Sequence, residues 1–378
     1  MTADKFIDQP LAEVRSQKII FVHLLNDYSG SPRVLSQIID ATKANKDVTE
    51  VELYLGSDGT GFLSNKDCVT YKYFYRRSSK TLLALIFFLL SQIALFYKLL
   101  RYRKEDVCFY INTMLPFGAA LAGKLMGKET FYHIHETSLR PAIFKSFLRW
   151  VVNSTASTVI YVSEYLRLTE PFKIDDQTVI YNCLSRDFSQ AASANTYFFD
   201  SKTFNVLMVC SLKSYKGVNE FVNIAEMFSH RSDMSFRLVL NANEREIDEF
   251  FLGVCIPENL SIFPFQPDLK KFYSEANLVL NLSKTDQWVE TFGLTILEAM
   301  SYGIPTIVPP IGGPAELVRN NQDGYLIASS DTKGLYSRIL SLSDDRNLCL
   351  DLSKSARKQS LKFNEDVFRK ALKNIFLV

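Results

Sequence analysis

The chain has 378 residues, with 43 basic and 41 acidic side chains and a formal net charge of +2. It is 47% hydrophobic and 22% charged, the balance of a folded protein of about two domains at ~100–200 residues each. That balance excludes disordered, collagenous and low-complexity classes, and the near-neutral charge argues against a nucleic-acid binder.

Residues 1–18, MTADKFIDQPLAEVRSQK, have no apolar core, so no secretory signal is expected. KIIFVHLL (18–25) reads as a buried strand, 26–32 as a turn and 33–44 as a helix. VELYL (51–55), DVCFYI (106–111), TFYHIH (130–135), STVIYVS (157–163) and TVIYN (178–182) read as further strands. The polar, poorly periodic stretch 184–203 reads as a linker. Strands resume at 204–212, 236–242, 260–265, 277–282 and 305–310. Strands alternating with helical stretches imply βαβ units and parallel sheets, here an α/β chain of two domains.

The most apolar run is 82–97, LLALIFFLLSQIALFY. It is shorter than the ~20 residues of a membrane span. Between 71 and 104 there are eight Lys or Arg and no acidic residue. A buried helix, a helix lying on an anionic membrane face and a span are the three readings left open.

The six cysteines, at 68, 108, 183, 210, 255 and 349, form no CxxC pair. They read as buried thiols in a reducing compartment, and the expected location is cytoplasmic. Gly118 to Lys124 matches GxxxxGK, but Leu125 stands where a magnesium-binding hydroxyl belongs and AALA favours a helix. Gly56-Ser-Asp-Gly59-Thr-Gly61 has the wrong order for a dinucleotide fingerprint and reads as a turn.

The informative segment is 277–327. A strand (277–282) leads through a polar loop (283–291) into a helix (292–302), which Gly303 and Pro305 stop. Open α/β sheets bind ligands at such loops. The amides of Thr291, Phe292, Gly293 and Leu294 would favour an anion such as a diphosphate. Glu290 and Glu298 flank the site, and eight helical residues span roughly 12 Å, the reach from sugar to ribose in a nucleotide-sugar. Downstream, Gly312-Gly313-Pro314-Ala315-Glu316 reads as a loop with proline in the first turn of a helix.

The run Glu290-Thr-Phe-Gly-Leu-Thr-Ile-Leu-Glu298, then Gly312-Gly313-Pro-Ala-Glu316 and Asp323-Gly324-Tyr325-Leu326, resembles the retaining glycosyltransferases of family 4. The resemblance is strong over 204–327 and looser before. It implies the GT-B fold, two Rossmann-like domains facing across a cleft. An acceptor domain is expected over 1–185, with the C-terminal helix 355–378 packing back on it, and a nucleotide-sugar domain over 204–354. By resemblance, Glu298 binds the ribose hydroxyls and Glu290 contacts the donor sugar. Phe292, Gly293 and Leu294 hold sugar and phosphate, and Lys216 neutralises the diphosphate leaving group. Many members carry Arg five residues before that lysine; here Ser211 stands there, and Lys213 could supply the charge. Gly30, in Tyr28-Ser29-Gly30-Ser31-Pro32, resembles the loop facing the diphosphate. His135 resembles the active-site histidine near the sugar; His133 shares its strand face.

The resemblance further implies transfer of a sugar with retained configuration from a UDP- or GDP-hexose to a glycan acceptor. The overall pattern resembles that of bacterial O-antigen, capsule or exopolysaccharide enzymes. No metal or other cofactor is expected, and no nucleic-acid partner. The 71–104 region suggests a lipid-linked acceptor and peripheral contact with the inner face of the cytoplasmic membrane. The rival readings are a sugar-nucleotide epimerase or phosphorylase of the same fold, and a non-catalytic glycan- or nucleotide-binding subunit.

Overall fold

The structure, a computed structural model, describes residues 17–45, 48–56, 59–137, 139–199 and 203–376. Most of the N-terminal stretch without an apolar core (1–16), positions 57 and 58 of the Gly56–Gly61 turn, and 200–202 of the expected linker lie outside the described residues. The chain divides into two compact units, one running to Phe131 and taking in the chain from Ala371 onward, the other Tyr132–Lys370.

The first unit begins with β1 (Gln17–His23), α1 (Gly30–Lys43), β2 (Val48–Leu55) and β3 (Val69–Lys72). It continues with α2 (Thr81–Leu99), β4 (Val107–Asn112) and α3 (Phe117–Met126). Ile19 to Val22 are fully buried on both faces of β1, the pattern of a parallel strand covered on each side. The helix α1 lays Val34, Leu35, Ile38 and Ile39 on the sheet, the spacing of one helical face. It starts at Gly30, so the expected turn 26–32 is shorter. The GxxxxGK stretch lies in α3, as its helix-forming residues imply. Its glycines are packing positions. A Cβ on Gly118 would come 2.2 Å from the Gln92 carbonyl, and one on Gly123 2.7 Å from Thr130 Oγ1.

β5 (Thr130–Ile134) leads into the second unit, followed by α4 (Ala142–Thr155), β6 (Thr158–Tyr161), α5 (Glu164–Thr169), β7 (Gln177–Val179) and α6 (Arg186–Ala194). The expected linker therefore contains a helix. Ser185 caps it by accepting from the Phe188 amide, and Phe188 packs edge-on against Tyr273 and Tyr302. Next come β8 (Phe204–Ser211), α7 (Val218–Met227), β9 (Met234–Asn241), α8 (Glu244–Phe250), β10 (Leu260–Phe263), α9 (Lys270–Glu275) and β11 (Leu278–Leu280). The unit closes with α10 (Leu294–Ser301), β12 (Thr306–Val308), α11 (Pro314–Leu317), β13 (Gly324–Leu326), α12 (Thr332–Asp344), α13 (Arg346–Ser360) and the start of α14 (Glu365–Phe376). The expected helix 355–378 is thus two helices, with a break between Ser360 and Glu365.

The strands form two sheets, ordered β3-β2-β1-β4-β5-β6-β7 and β10-β9-β8-β11-β12-β13. In both, the strand order reverses beside the first strand of the sheet, the doubly wound pattern whose ligands sit at the reversal point. The pairs β1–β4 and β8–β11 that flank the two reversals are parallel. The core of the second sheet is Val206, Leu207, Met208, Phe236, Leu238, Leu278, Val279 and Ile307, each at most 1% exposed.

One expectation is corrected, and one of the three readings left open for 82–97 is closed. The cysteines are all free, but Cys255 is exposed and only Cys108, Cys183 and Cys349 are buried. The apolar run 82–97 is not a buried helix: α2 hides only Phe88, Ser91, Gln92, Leu95 and Leu99.

Candidate active site

Lys216 and Glu290 come together where β8 and β11 end, at the reversal point of their sheet. β8 gives way to a tight turn, Ser214–Lys216, and then to Gly217, whose φ is +80°. Only glycine fits there: a Cβ would lie 2.1 Å from the Leu282 carbonyl oxygen. This close approach carries Lys216 to the end of β11. Its Nζ donates to Glu290 Oε2 at 3.1 Å. The same oxygen accepts from Asn281 Nδ2 at 2.8 Å and Ser283 Oγ at 3.3 Å. The loop holds its own shape through the Ser283 amide, which donates to Asn281 Oδ1 at 3.0 Å.

Burial pushes the Glu290 carboxyl upward, but the Lys216 charge and the bonds from Asn281, Lys216 and Ser283 outweigh it. The net effect is a lowered pKa. Glu290 is therefore an anion at neutral pH, an acceptor for hydroxyls and not a proton donor. Burial also pushes the neighbouring Cys210 thiol up to about 12, so it stays protonated and is no nucleophile.

Beyond Glu290 the chain passes Thr291 and Phe292 to Gly293, with φ +102°, which opens α10. The helix thus starts two residues later than the sequence suggests. The opening amides of a helix lack acceptors within it, although here that of Ile296 already donates to the Gly293 carbonyl at 3.1 Å, and a helix N-terminus favours anions. The Gly-Gly-Pro loop buttresses this segment. The Gly313 amide donates to the Glu290 carbonyl at 2.8 Å. A Cβ on Gly313 would lie 2.3 Å from the Thr291 oxygen, and one on Gly312 2.6 Å from the Glu290 oxygen. Glu298 lies within α10, 1% exposed, and its Oε2 accepts from the Tyr273 hydroxyl at 2.7 Å.

Ser211 and Lys213 do not join the Lys216–Glu290 cluster. They line a separate cavity of about 400 Å³ with Asn241, Ala242 and Glu246 at the end of β9 and the start of α8. Lys213 is exposed, whereas Lys216 is largely buried. The β9 end escaped the sequence reading, although a strand terminus next to the reversal point was a signal available in principle.

His135 follows the end of β5, and its amide donates to Glu136 Oε2 at 3.2 Å. His133 and His135 have ring centres 4.3 Å apart. His133 is fully buried, and burial pushes it down to about 3, so it is neutral; His135 is half-buried. Two residues on, Thr137 helps to line a cavity of about 370 Å³ with Arg140, Lys145 and the loop from Thr285 to Val289. The loop after β5 and the loop leading to Glu290 thus share one space. Within the first unit, Gly30 opens α1 beside the β1–β4 reversal, and a Cβ there would meet nothing within 4 Å. Asn112 Nδ2 donates to the Ser31 carbonyl at 3.1 Å, which ties this turn to the end of β4.

Glu316 has a role the sequence did not reveal. From α11 its carboxylate accepts from the Glu164 amide at 3.1 Å, from the Tyr165 amide, and from the Tyr181 hydroxyl at 2.9 Å. The first two are first-turn amides of α5, so a residue about 150 positions away in sequence caps that helix. The Tyr181 ring packs on Phe292 and Phe363. Asp323, in the Asp-Gly-Tyr-Leu run, is buried and accepts from the amide and Nε of Arg319, both at 2.6 Å. Among the described residues, no three His, Cys, Asp or Glu side chains converge as a metal-ligand set.

Residues 190–359 match the family described as glycosyl transferases group 1. N-acetyl-alpha-D-glucosaminyl L-malate synthase of Bacillus anthracis is 26% identical over 211 residues, covering 54% of this chain and 53% of that protein. The aligned part of the chain thus spans about half the length of this curated relative. Among solved structures, Anabaena Alr3699/HepE in complex with UDP and glucose superposes with a TM-score of 0.76 at 20% identity, covering 95% of this chain and 99% of that one. The lipopolysaccharide outer core galactosyltransferase WaaB superposes with a TM-score of 0.71 at 16% identity, covering 95% and 98%. The chain has the GT-B fold, and its segment 190–359 is similar to the group 1 glycosyl transferases.

Proposed function

We propose that the protein is a glycosyltransferase that moves a hexose from a UDP- or GDP-sugar to a glycan acceptor with retained configuration. The observation that carries this reading is the Lys216–Glu290 pair, held by Asn281 and Ser283 at the β8–β11 reversal point and followed directly by the start of α10. The nucleotide-bound state of the Anabaena neighbour supports a nucleotide-sugar donor.

On this reading the diphosphate lies against the first-turn amides of α10 and the Lys216 ammonium. As the bond from the anomeric carbon to the phosphate oxygen breaks, its electron pair passes to the diphosphate. The developing charge is stabilised by a cation and fixed dipoles already in place. The leaving phosphate takes the proton of the acceptor hydroxyl as the new glycosidic bond forms. Glu290, an anion, accepts from sugar hydroxyls and fixes the ring; it is not a covalent nucleophile. Glu298 serves the ribose, His135 borders the sugar, and Ser211 and Lys213 line the nucleotide side. The chemistry needs no metal or other cofactor.

The WaaB neighbour supports a role in bacterial surface polysaccharide assembly. The basic, apolar 71–104 region supports a lipid-linked acceptor met at the inner face of the cytoplasmic membrane. The test is release of nucleoside diphosphate from UDP- and GDP-hexoses, with and without glycan acceptors, followed by chromatography. Release by the wild type, lost in Lys216→Ala, is expected. Binding of the nucleotide-sugar without release under any acceptor condition would replace this reading with a binding-only subunit.

A further inference from the structure

We infer that α2 is a monotopic docking surface for an anionic phospholipid leaflet, lying in the membrane interface and not crossing it. Its outward stripe is Leu82, Leu85, Ile86, Leu89, Leu90, Ile93 and Tyr97, between 41% and 70% exposed. These positions recur every three or four residues and so form one face. Phe74, 48% exposed, stacks edge-on with Phe87 and extends the apolar area beyond the helix. Contiguous exposed apolar surface of this kind marks an interaction site.

Charge complementarity selects the partner. Arg76, Arg77 and Lys80 stand before the helix, and Lys98, Arg101, Arg103 and Lys104 at its end, with no Asp or Glu from 71 to 104. Among the described residues, one ion pair reaches this rim, Asp27 to Arg77 at 3.7 Å with both side chains exposed. Several cations are held in place from below. Lys98 donates to the Lys72 carbonyl, Arg101 donates to the Tyr71 hydroxyl at 3.1 Å, and Arg76 lies over the Phe87 ring. An apolar stripe with a cationic rim suits acyl chains below anionic headgroups.

By length and composition α2 could cross a bilayer. Its inner face argues for the surface orientation instead. Gln92 accepts from the Gly118 amide at 3.1 Å, and Gly118 is pressed so closely on the Gln92 backbone that a Cβ would not fit. Ser91 and Gln92 are both buried, and Gln92 Nε2 donates to Ser91 Oγ at 3.0 Å. Moving α2 into a bilayer would expose these polar groups to hydrocarbon.

This surface deepens the membrane-side acceptor reading proposed above, while its test reads vesicle binding and does not depend on sugar transfer. Its test is co-sedimentation of the full chain with phosphatidylcholine–phosphatidylglycerol vesicles and with pure phosphatidylcholine vesicles. Wild type is compared with Ile86→Glu/Ile93→Glu and with Arg76→Gln/Arg77→Gln/Arg101→Gln/Arg103→Gln. Unfolding midpoints and nucleotide binding are read on the same proteins as controls. Wild type should bind the anionic vesicles, less at high salt, and be released by alkaline carbonate. Each variant should lose about tenfold or more in partitioning while keeping its fold. Equal binding by wild type and variants would overturn the inference. Resistance to carbonate would overturn it in favour of a span. A self-associated wild type that ignores vesicles and becomes monomeric in Ile86→Glu/Ile93→Glu would overturn it in favour of a second copy of this chain.

Discussion

Replacing Glu316 by alanine removes the acceptor for two amides that open α5 and for the Tyr181 hydroxyl. Hydrogen bonds to a charged group contribute about 1.5–3 kcal/mol each when taken singly, and losing a helix cap costs about 0.5–2 kcal/mol. These are not additive, because the amides of the half-buried Glu164 and Tyr165 can turn to water. A net loss of about 2–3 kcal/mol is expected for Glu316→Ala. Glu316→Gln keeps one acceptor oxygen and should lose about 1 kcal/mol. Tyr181→Phe removes a single bond and should also lose about 1 kcal/mol. The assay is equilibrium urea unfolding of the three variants and of the Glu316→Ala/Tyr181→Phe pair. The double variant should be less destabilised than the sum, since both changes delete the same contact. A second readout follows from the Gly312–Gly313 contacts with Glu290 and Thr291. If α11 is tethered by Glu316, Glu316→Ala should also weaken nucleotide-sugar binding several-fold. Stability within about 0.5 kcal/mol of wild type in Glu316→Ala would refute the tether. Lowered stability with unchanged nucleotide affinity would show that α11 does not position the donor loop.

Three further outcomes are expected. In wild type the lowered pKa of Glu290 gives stability that is full above the unfolded value of about 4.3 and is lost as pH falls through the folded value. In Lys216→Met burial becomes the governing influence, the folded pKa rises, and the slope reverses, so this contribution falls with increasing pH; urea unfolding from pH 4 to 7 checks the sign. Burial pushes His23 down to about 4 and His133 down to about 3, so unfolding should bind protons as pH falls below ~6.5. Each histidine should remove about 2 kcal/mol of stability between pH 6.5 and 5, and His133→Phe should flatten its share of the slope. Gly313→Ala should abolish nucleoside diphosphate release while leaving a folded chain, because its Cβ would push against the Thr291 oxygen; wild-type turnover would contradict the close approach.

The sequence made some parts of this structure legible and hid others for physical reasons. Most strands of both sheets could be read because they are short apolar runs between turn residues; β3 could not, being largely exposed, nor β13, only three residues long. Lys216 and Glu290 could be read because glycines and acids recur around them in a recognisable spacing. Asn281 and Ser283 could not, since polar residues after a strand look like any turn until their partner is placed. Glu316 was visible as part of a loop, but its role depends on amides about 150 residues away, which no local pattern encodes. Helix α6 was missed because its nine residues are mostly small and polar, and its anchor, Phe188, becomes meaningful only beside Tyr273 and Tyr302. Hydropathy could not orient α2, because both of its faces are apolar. The inward side is marked by Ser91 and Gln92, the residues that a hydropathy reading treats as an interruption.

The central claim, that a nucleoside diphosphate sugar sits at the β8–β11 reversal point, is tested most directly by calorimetric titration of UDP-, GDP-, dTDP- and ADP-sugars. Three proteins suffice: wild type, Glu298→Ala and Tyr273→Phe. Glu298→Ala removes the carboxylate, whereas Tyr273→Phe removes only its hydroxyl partner, so the pair separates ligand contact from local packing. Expected are selective binding of UDP- or GDP-sugars by wild type, a loss of about tenfold or more in Glu298→Ala, and near wild-type affinity in Tyr273→Phe. Equal affinities in wild type and Glu298→Ala, or no binding of any donor by folded wild type, would contradict it.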